Sequence, residues 1–235
     1  MERFPEKEED RMSTVLFSAR RAAAPLFVVA VIASVAIGSS ASISSASGAS
    51  TSRGVSAKAL AFHDAMRGLW QVHGTWTERA IVDFVGGLPD TNLVVKRLLQ
   101  NQVDIGNAVK PFYGRKGGAE LTTLLKAHIS DAVAVLAAAK SGDASATAKA
   151  EAAFFANGNQ VAAFLHSANP RHWTLGAMRT MMRVHLNQVI ALAVDQLKGQ
   201  YKAAIGEYDV YIGHILDMAD MLSTGIMQQF PARFS

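Results

Sequence analysis

The sequence predicts an all-α protein: an up-down bundle of about five long helices plus a short helical pair, after an N-terminal export or anchor segment. Three observations predict it. Beyond Ser56 the apolar residues recur at spacings of three and four, the period of a helix that buries one face. No sustained two-residue alternation marks a strand. The periodic runs are divided by Gly86-Gly87, Gly142, Asn169-Pro170 and Gly199, residues that end helices, and connections this short set successive helices antiparallel.

Taken in order, the chain opens with residues 1–41, read as an export signal or membrane anchor. Charged residues up to Arg21 give way to Ala22–Gly38, a run of 17 residues without charge that contains Leu26-Phe27-Val28-Val29-Ala30-Val31-Ile32. Its length lies between a signal core and a minimal membrane span, so a cleaved signal and a retained anchor through residues 22–38 both stay open. Either puts the remainder outside the cytoplasm, because Arg20 and Arg21 stay inside. Residues 42–55, rich in Ser, Ala and Gly, read as a flexible linker, and residues 56–231 as the helical domain.

Within that domain the first helix is predicted over about Ser56–Val85, with Phe62, Met66, Leu69, His73, Trp76 and Ala80 on one stripe. Gly86-Gly87-Leu88-Pro89-Asp90 breaks it. A short helix through Gln100 and a second to Val109 form the expected pair, ended by Lys110-Pro111. From about Gly118 a long helix carries Leu121, Leu125, His128, Ala132 and Val135 on its seam and stops at Gly142. The Ala- and Phe-rich run Ala144–Ser167 ends at Asn169-Pro170. Met178, Met182, His185, Val189 and Leu192 line the next helix, and the last runs from about Gln200 to Gln229, closed by Pro231.

Counting along this hairpin path brings four histidines to one level. His185 and His214 are equidistant from the Gly199 turn, Asn157 falls opposite residue 184, and His128 falls opposite Asn157. His73 joins the layer from the first helix. Imidazoles gathered at mid-height in a bundle suit a metal or haem site. The candidate ligands are therefore His73, His128, His185 and His214, with Asp131 and Asp217, each three residues beyond a histidine, as further ligands or ring-orienting partners. Met181 and Met218 pair across the last turn, as do Met178 and Met221, and offer soft donors for copper. Glu78 and Glu151 are the nearest carboxylates for a di-iron centre, but the paired Glu-x-x-His signature is missing.

The remaining composition narrows the classes. The chain has no cysteine, which removes disulfides, thiolate sites and Cys nucleophiles. Its net charge of +4 belongs to the domain beyond residue 41, because Arg3, Lys7, Arg11, Arg20 and Arg21 balance five acidic residues before it. Singly scattered basic residues argue against nucleic acid as a partner. Arg115-Lys116-Gly117-Gly118 lacks the strand and the Lys-Ser/Thr ending of a phosphate loop. No Gly-x-Ser-x-Gly or His-Glu-x-x-His motif occurs, so familiar hydrolases are disfavoured.

Several strings carry a resemblance. Leu69-Trp70-Gln71-Val72-His73-Gly74-Thr75-Trp76-Thr77, Gly87-Leu88-Pro89-Asp90, the run from Arg97 to Ala108 and Lys110-Pro111-Phe112-Tyr113-Gly114 resemble a family of exported or membrane-anchored bacterial helical proteins with no established activity. The similarity continues through Phe164-Leu165, Asn169-Pro170, His185-Leu186, Tyr208-Asp209, Met218-Ala219-Asp220 and Gln229-Phe230-Pro231. It implies packed helices and supplies no chemistry.

The functional expectation is an exported binding protein whose interior histidines hold a transition metal (copper, iron or zinc) or haem. A metal-dependent oxidoreductase and a structural or apolar-ligand bundle without metal are the alternatives. The expected partner is a metal ion or small ligand, with the membrane a further one through residues 22–38.

Overall fold

The computed structural model describes residues 56–235, which form five α-helices packed up and down. Residues 1–55, which carry the expected export segment and linker, lie outside the described part. The helices are α1 (Ala57–Gly86), α2 (Thr91–Ser141), α3 (Ala144–Ala168), α4 (Leu175–Leu197) and α5 (Tyr201–Gln229), with a short 3-10 turn at Pro231–Arg233. Among the described residues there is no strand.

Local chemistry sets most of the boundaries. Ser56 Oγ accepts the Ala59 N–H and starts α1, Asp143 does the same for Ala146 at α3, and Thr174 for Ala177 at α4. Each satisfies one of the amides that a helix N-terminus leaves without a partner. Gly87, Gly142 and Gly199 turn the chain with positive φ, a conformation that only glycine adopts freely. Asn169 ends α3 before Pro170 and, fully buried, donates from Nδ2 to the Gly225 carbonyl 2.9 Å away. That bond ties the α3–α4 turn to the end of α5.

One expectation is corrected here. Residues 91–109 do not form two short helices stopped at Pro111; α2 runs through Pro111 and breaks at Gly114, whose φ of 74° and ψ of 174° are non-helical. Pro111 removes the N–H that would bond one turn back and so weakens the helix just before the break at Gly114. The chain then folds back on itself. A Cβ on Gly106 would come within 2.6 Å of the Gly118 carbonyl oxygen and would strike Thr122, although in a straight helix residues twelve apart lie about 18 Å apart. Gly117-Gly118, weighed above as an anion-binding start, therefore lies where two limbs of α2 cross.

One large core draws on all five helices, and a smaller separate cluster joins Ala80, Val94, Leu98 and Ile129. Phe62, Phe112, Phe230 and Phe234 close one end with ring centroids 5.0–5.6 Å apart. α4 contacts α1, α3 and α5, and Met178, Met181, Met182, His185, Leu186 and Leu192 are buried along it. By length and composition α2 is the one described helix that could cross a membrane, and 33% of its apolar window is buried within the bundle.

Candidate functional site

Four helices bring the four histidines together around His185. The His185 ring centroid lies 5.5 Å from His128 of α2, 5.9 Å from His73 of α1 and 6.5 Å from His214 of α5. The hairpin counting thus places the levels correctly, since equal numbers of residues on either side of a tight turn rise by equal heights. Tyr211 stacks on the same imidazole at 5.7 Å. His185 is 2% exposed.

Hydrogen bonds hold three of the rings and fix where their protons sit. Asn157 donates from Nδ2 to the Leu124 carbonyl, so its Oδ1 faces His128 Nδ1 at 2.9 Å. His128 must then donate from Nδ1, leaving a lone pair on Nε2. His214 Nε2 donates to the Met181 carbonyl at 3.2 Å, which leaves the lone pair on Nδ1. His73 Nδ1 lies 3.2 Å from Gln102 Nε2, and Gln102 is itself anchored to the Leu98 carbonyl. His185 differs: its Nδ1 is buried and makes no hydrogen bond to the protein.

Burial keeps this cluster neutral. Loss of solvent pushes His73 down to about 3, helped by repulsion from His128 and opposed by the Asn101 side chain. Desolvation pushes His128 down to about 4, opposed by Asn157. His185 is held well below the usual imidazole range by burial and then by its three histidine neighbours. His214, partly exposed, is also lowered by burial, with the Met181 carbonyl and Asp217 acting against the shift. At neutral pH all four are uncharged, the state in which an imidazole binds a metal.

His73, His128 and His185 face a narrow interior cavity of about 30 Å³, room for about two water molecules. Met66, Met181, Met182 and Met218 share its wall, and the rest is aliphatic and aromatic. His214 stands outside the lining, on the other side of His185. Asp131 is partly exposed and Asp217 exposed; neither lines the cavity. Glu78 and Glu151 are half-buried, and desolvation raises both. They too lie off the cavity wall.

No protein-family model, curated protein or solved structure matches this chain. Its chemistry rests on these side chains alone. Among the described residues, no group of three or more histidine, aspartate or glutamate side chains is placed so that it could hold a metal ion as it stands; His128 and His185 are the closest imidazole pair. Two imidazoles on one ion, with metal–nitrogen bonds near 2.0 Å, have ring centres about 5 Å apart. The observed spacings exceed that by about half an ångström to about 1.5 Å.

Sequence reasoning missed three contributors. Asn101 and Gln102, which support His73, are buried polar residues of α2 that were given no part in the site. Tyr211 was not connected with the histidines. A buried polar side chain on an otherwise apolar seam is the signal all three share.

Proposed function

We propose that this chain is an exported helical-bundle binding protein whose buried imidazole cluster, centred on His185, takes a transition-metal ion. One observation carries the reading: His185 Nδ1 is buried without a protein partner while neutral imidazoles from three other helices surround it. An unsatisfied buried nitrogen costs about 1–3 kcal/mol, so His185 Nδ1 favours an occupant of the adjoining cavity. An ion bound to that nitrogen removes the deficit. Coordination requires the ring centres to close by about half an ångström to about 1.5 Å and the nearly parallel His128 and His185 rings to turn their lone pairs toward one ion.

Cavity size narrows the ligand further. A space of about 30 Å³ falls far below the roughly 300–1,000 Å³ of pockets for drug-sized ligands, so the fit favours a bare ion with a water over a haem. With no carboxylate on the wall, the site resembles a binding or storage centre more than a di-iron oxidase.

Metal analysis of protein purified from its native compartment tests the proposal. The wild type and His63→Ala should retain metal, because His63 lies off the cavity wall, 3.0 Å from Asp220. His185→Ala should lose affinity by more than the roughly tenfold to hundredfold that follows loss of an outer-sphere partner, with circular dichroism confirming its helices. Equal metal content in both variants would assign the histidines to helix register instead.

A further inference from the structure

Resting on that metal reading, we propose that the ion is monovalent copper, Cu(I), held by imidazole nitrogen from His185 and His128 and by thioether sulfur from Met181 and Met218. Four of the seven methionines among the described residues, Met66, Met181, Met182 and Met218, converge on the one cavity that the histidines also line. Thioether is a soft, neutral donor that selects Cu(I) among the common biological metals. Methionine fills irregular cores everywhere, but here it does so beside an unsatisfied imidazole nitrogen.

Helix register supplies the geometry. Met181 precedes His185 by one turn on α4, and Met218 follows His214 by one turn on α5, so each sulfur lies on the same face as its histidine. The bond from His214 Nε2 to the Met181 carbonyl fixes the two helices at that offset. Both methionines are buried, at 5% and 2% exposure.

Electrostatics selects the charge. The cavity wall carries no aspartate or glutamate, and the chain has no cysteine to provide a thiolate. Every available donor is therefore neutral, and the ion's whole charge must be carried in an apolar interior. The Born cost of burial rises as the square of the charge, so a divalent ion pays about four times what a monovalent one does. Zn(II) and Fe(II) usually offset that cost with anionic ligands, which this wall does not offer. Binding as proposed involves no electron transfer; Cu(I) enters and leaves in the same oxidation state.

The test uses the full-length apoprotein, titrated without oxygen with Cu(I) in competition with the chromophoric chelator bicinchoninate, and separately with Zn(II) in competition with a zinc indicator. The wild type should withdraw Cu(I) from the chelator and bind Zn(II) at least a hundredfold more weakly. The double variant Met181→Leu/Met218→Leu, close to volume-conserving, should lose Cu(I) affinity at least tenfold while its apo melting temperature stays near wild type. X-ray absorption of the copper-loaded wild type should show both sulfur and nitrogen bonded to copper. Zn(II) binding as tight as Cu(I) binding, or a leucine variant that holds Cu(I) like the wild type, overturns the copper assignment and leaves the metal site standing. A wild type that binds neither ion overturns both.

Discussion

His73 and His128 are buried bases that the fold keeps unprotonated, and this makes stability depend on pH in a defined direction. In the unfolded chain each titrates near 6.5; in the folded chain burial holds them at about 3 and about 4. Below pH 6.5 the unfolded state therefore binds more protons than the folded one. Their contribution is fully present above about pH 6.5 and is lost as the pH falls towards the folded values, at about 1.4 kcal/mol per pH unit for each histidine. Urea unfolding at pH 7.5, 6.0 and 5.0 should show the midpoint falling steeply below 6.5. His128→Gln, which keeps a polar group near Asn157, should flatten that slope by about one proton while lowering the stability at pH 7.5. An unchanged slope would mean that His128 is not the desolvated base described here.

At the scale of the helix, Gly114 controls the path of α2. Its φ of 74° and ψ of 174° lie in a region that is nearly exclusive to glycine. Nothing lies within 4 Å of a Cβ built there, so Gly114→Ala tests backbone strain without a steric clash. It should destabilise the protein by about 1–3 kcal/mol in a denaturant melt, whereas Gly213→Ala, in helical backbone and equally open, should stabilise it by about 0.5–1 kcal/mol. Similar effects at the two positions would remove the strain argument. The same helix shows what could be read from the sequence. Gly142, Asn169-Pro170 and Gly199 announced their turns because a glycine C-cap or a proline leaves a direct chemical mark, and equal counts on each side then gave the histidine level. Proline pointed to the break in α2 three residues too early, since it weakens a helix without setting where the chain turns away. With that limb misdivided, Asn101 and Gln102 were assigned no face, and their support of His73 was not seen. The cavity was illegible for another reason: it is the space left between side chains of several helices, and no local pattern encodes it.

Across the whole molecule, residues 56–235 form a closed structural unit. Ser56 Oγ meets the Phe234 carbonyl, Lys58 donates to Ser235, and the rings of Phe62, Phe112 and Phe234 pack around that junction. A truncated chain beginning at Ser52 should therefore give a strongly helical circular-dichroism spectrum and a single cooperative melt; gradual, non-cooperative unfolding would show that earlier residues belong to the core. The crossing of Gly106 over Gly118 bears on the order of events in time. Those residues are twelve apart in sequence, so their loop closes early and at low entropic cost. His73 and His185 stand on α1 and α4, far apart in sequence, so their contact closes a much longer loop. Thr122→Ala, which loosens the crossing, should slow refolding in stopped-flow measurements, while Leu222→Ala, in the buried core of α5, should act mainly on the unfolding rate. The imidazole cluster is then among the last parts to assemble, and its ion enters a nearly finished bundle instead of guiding an extended chain.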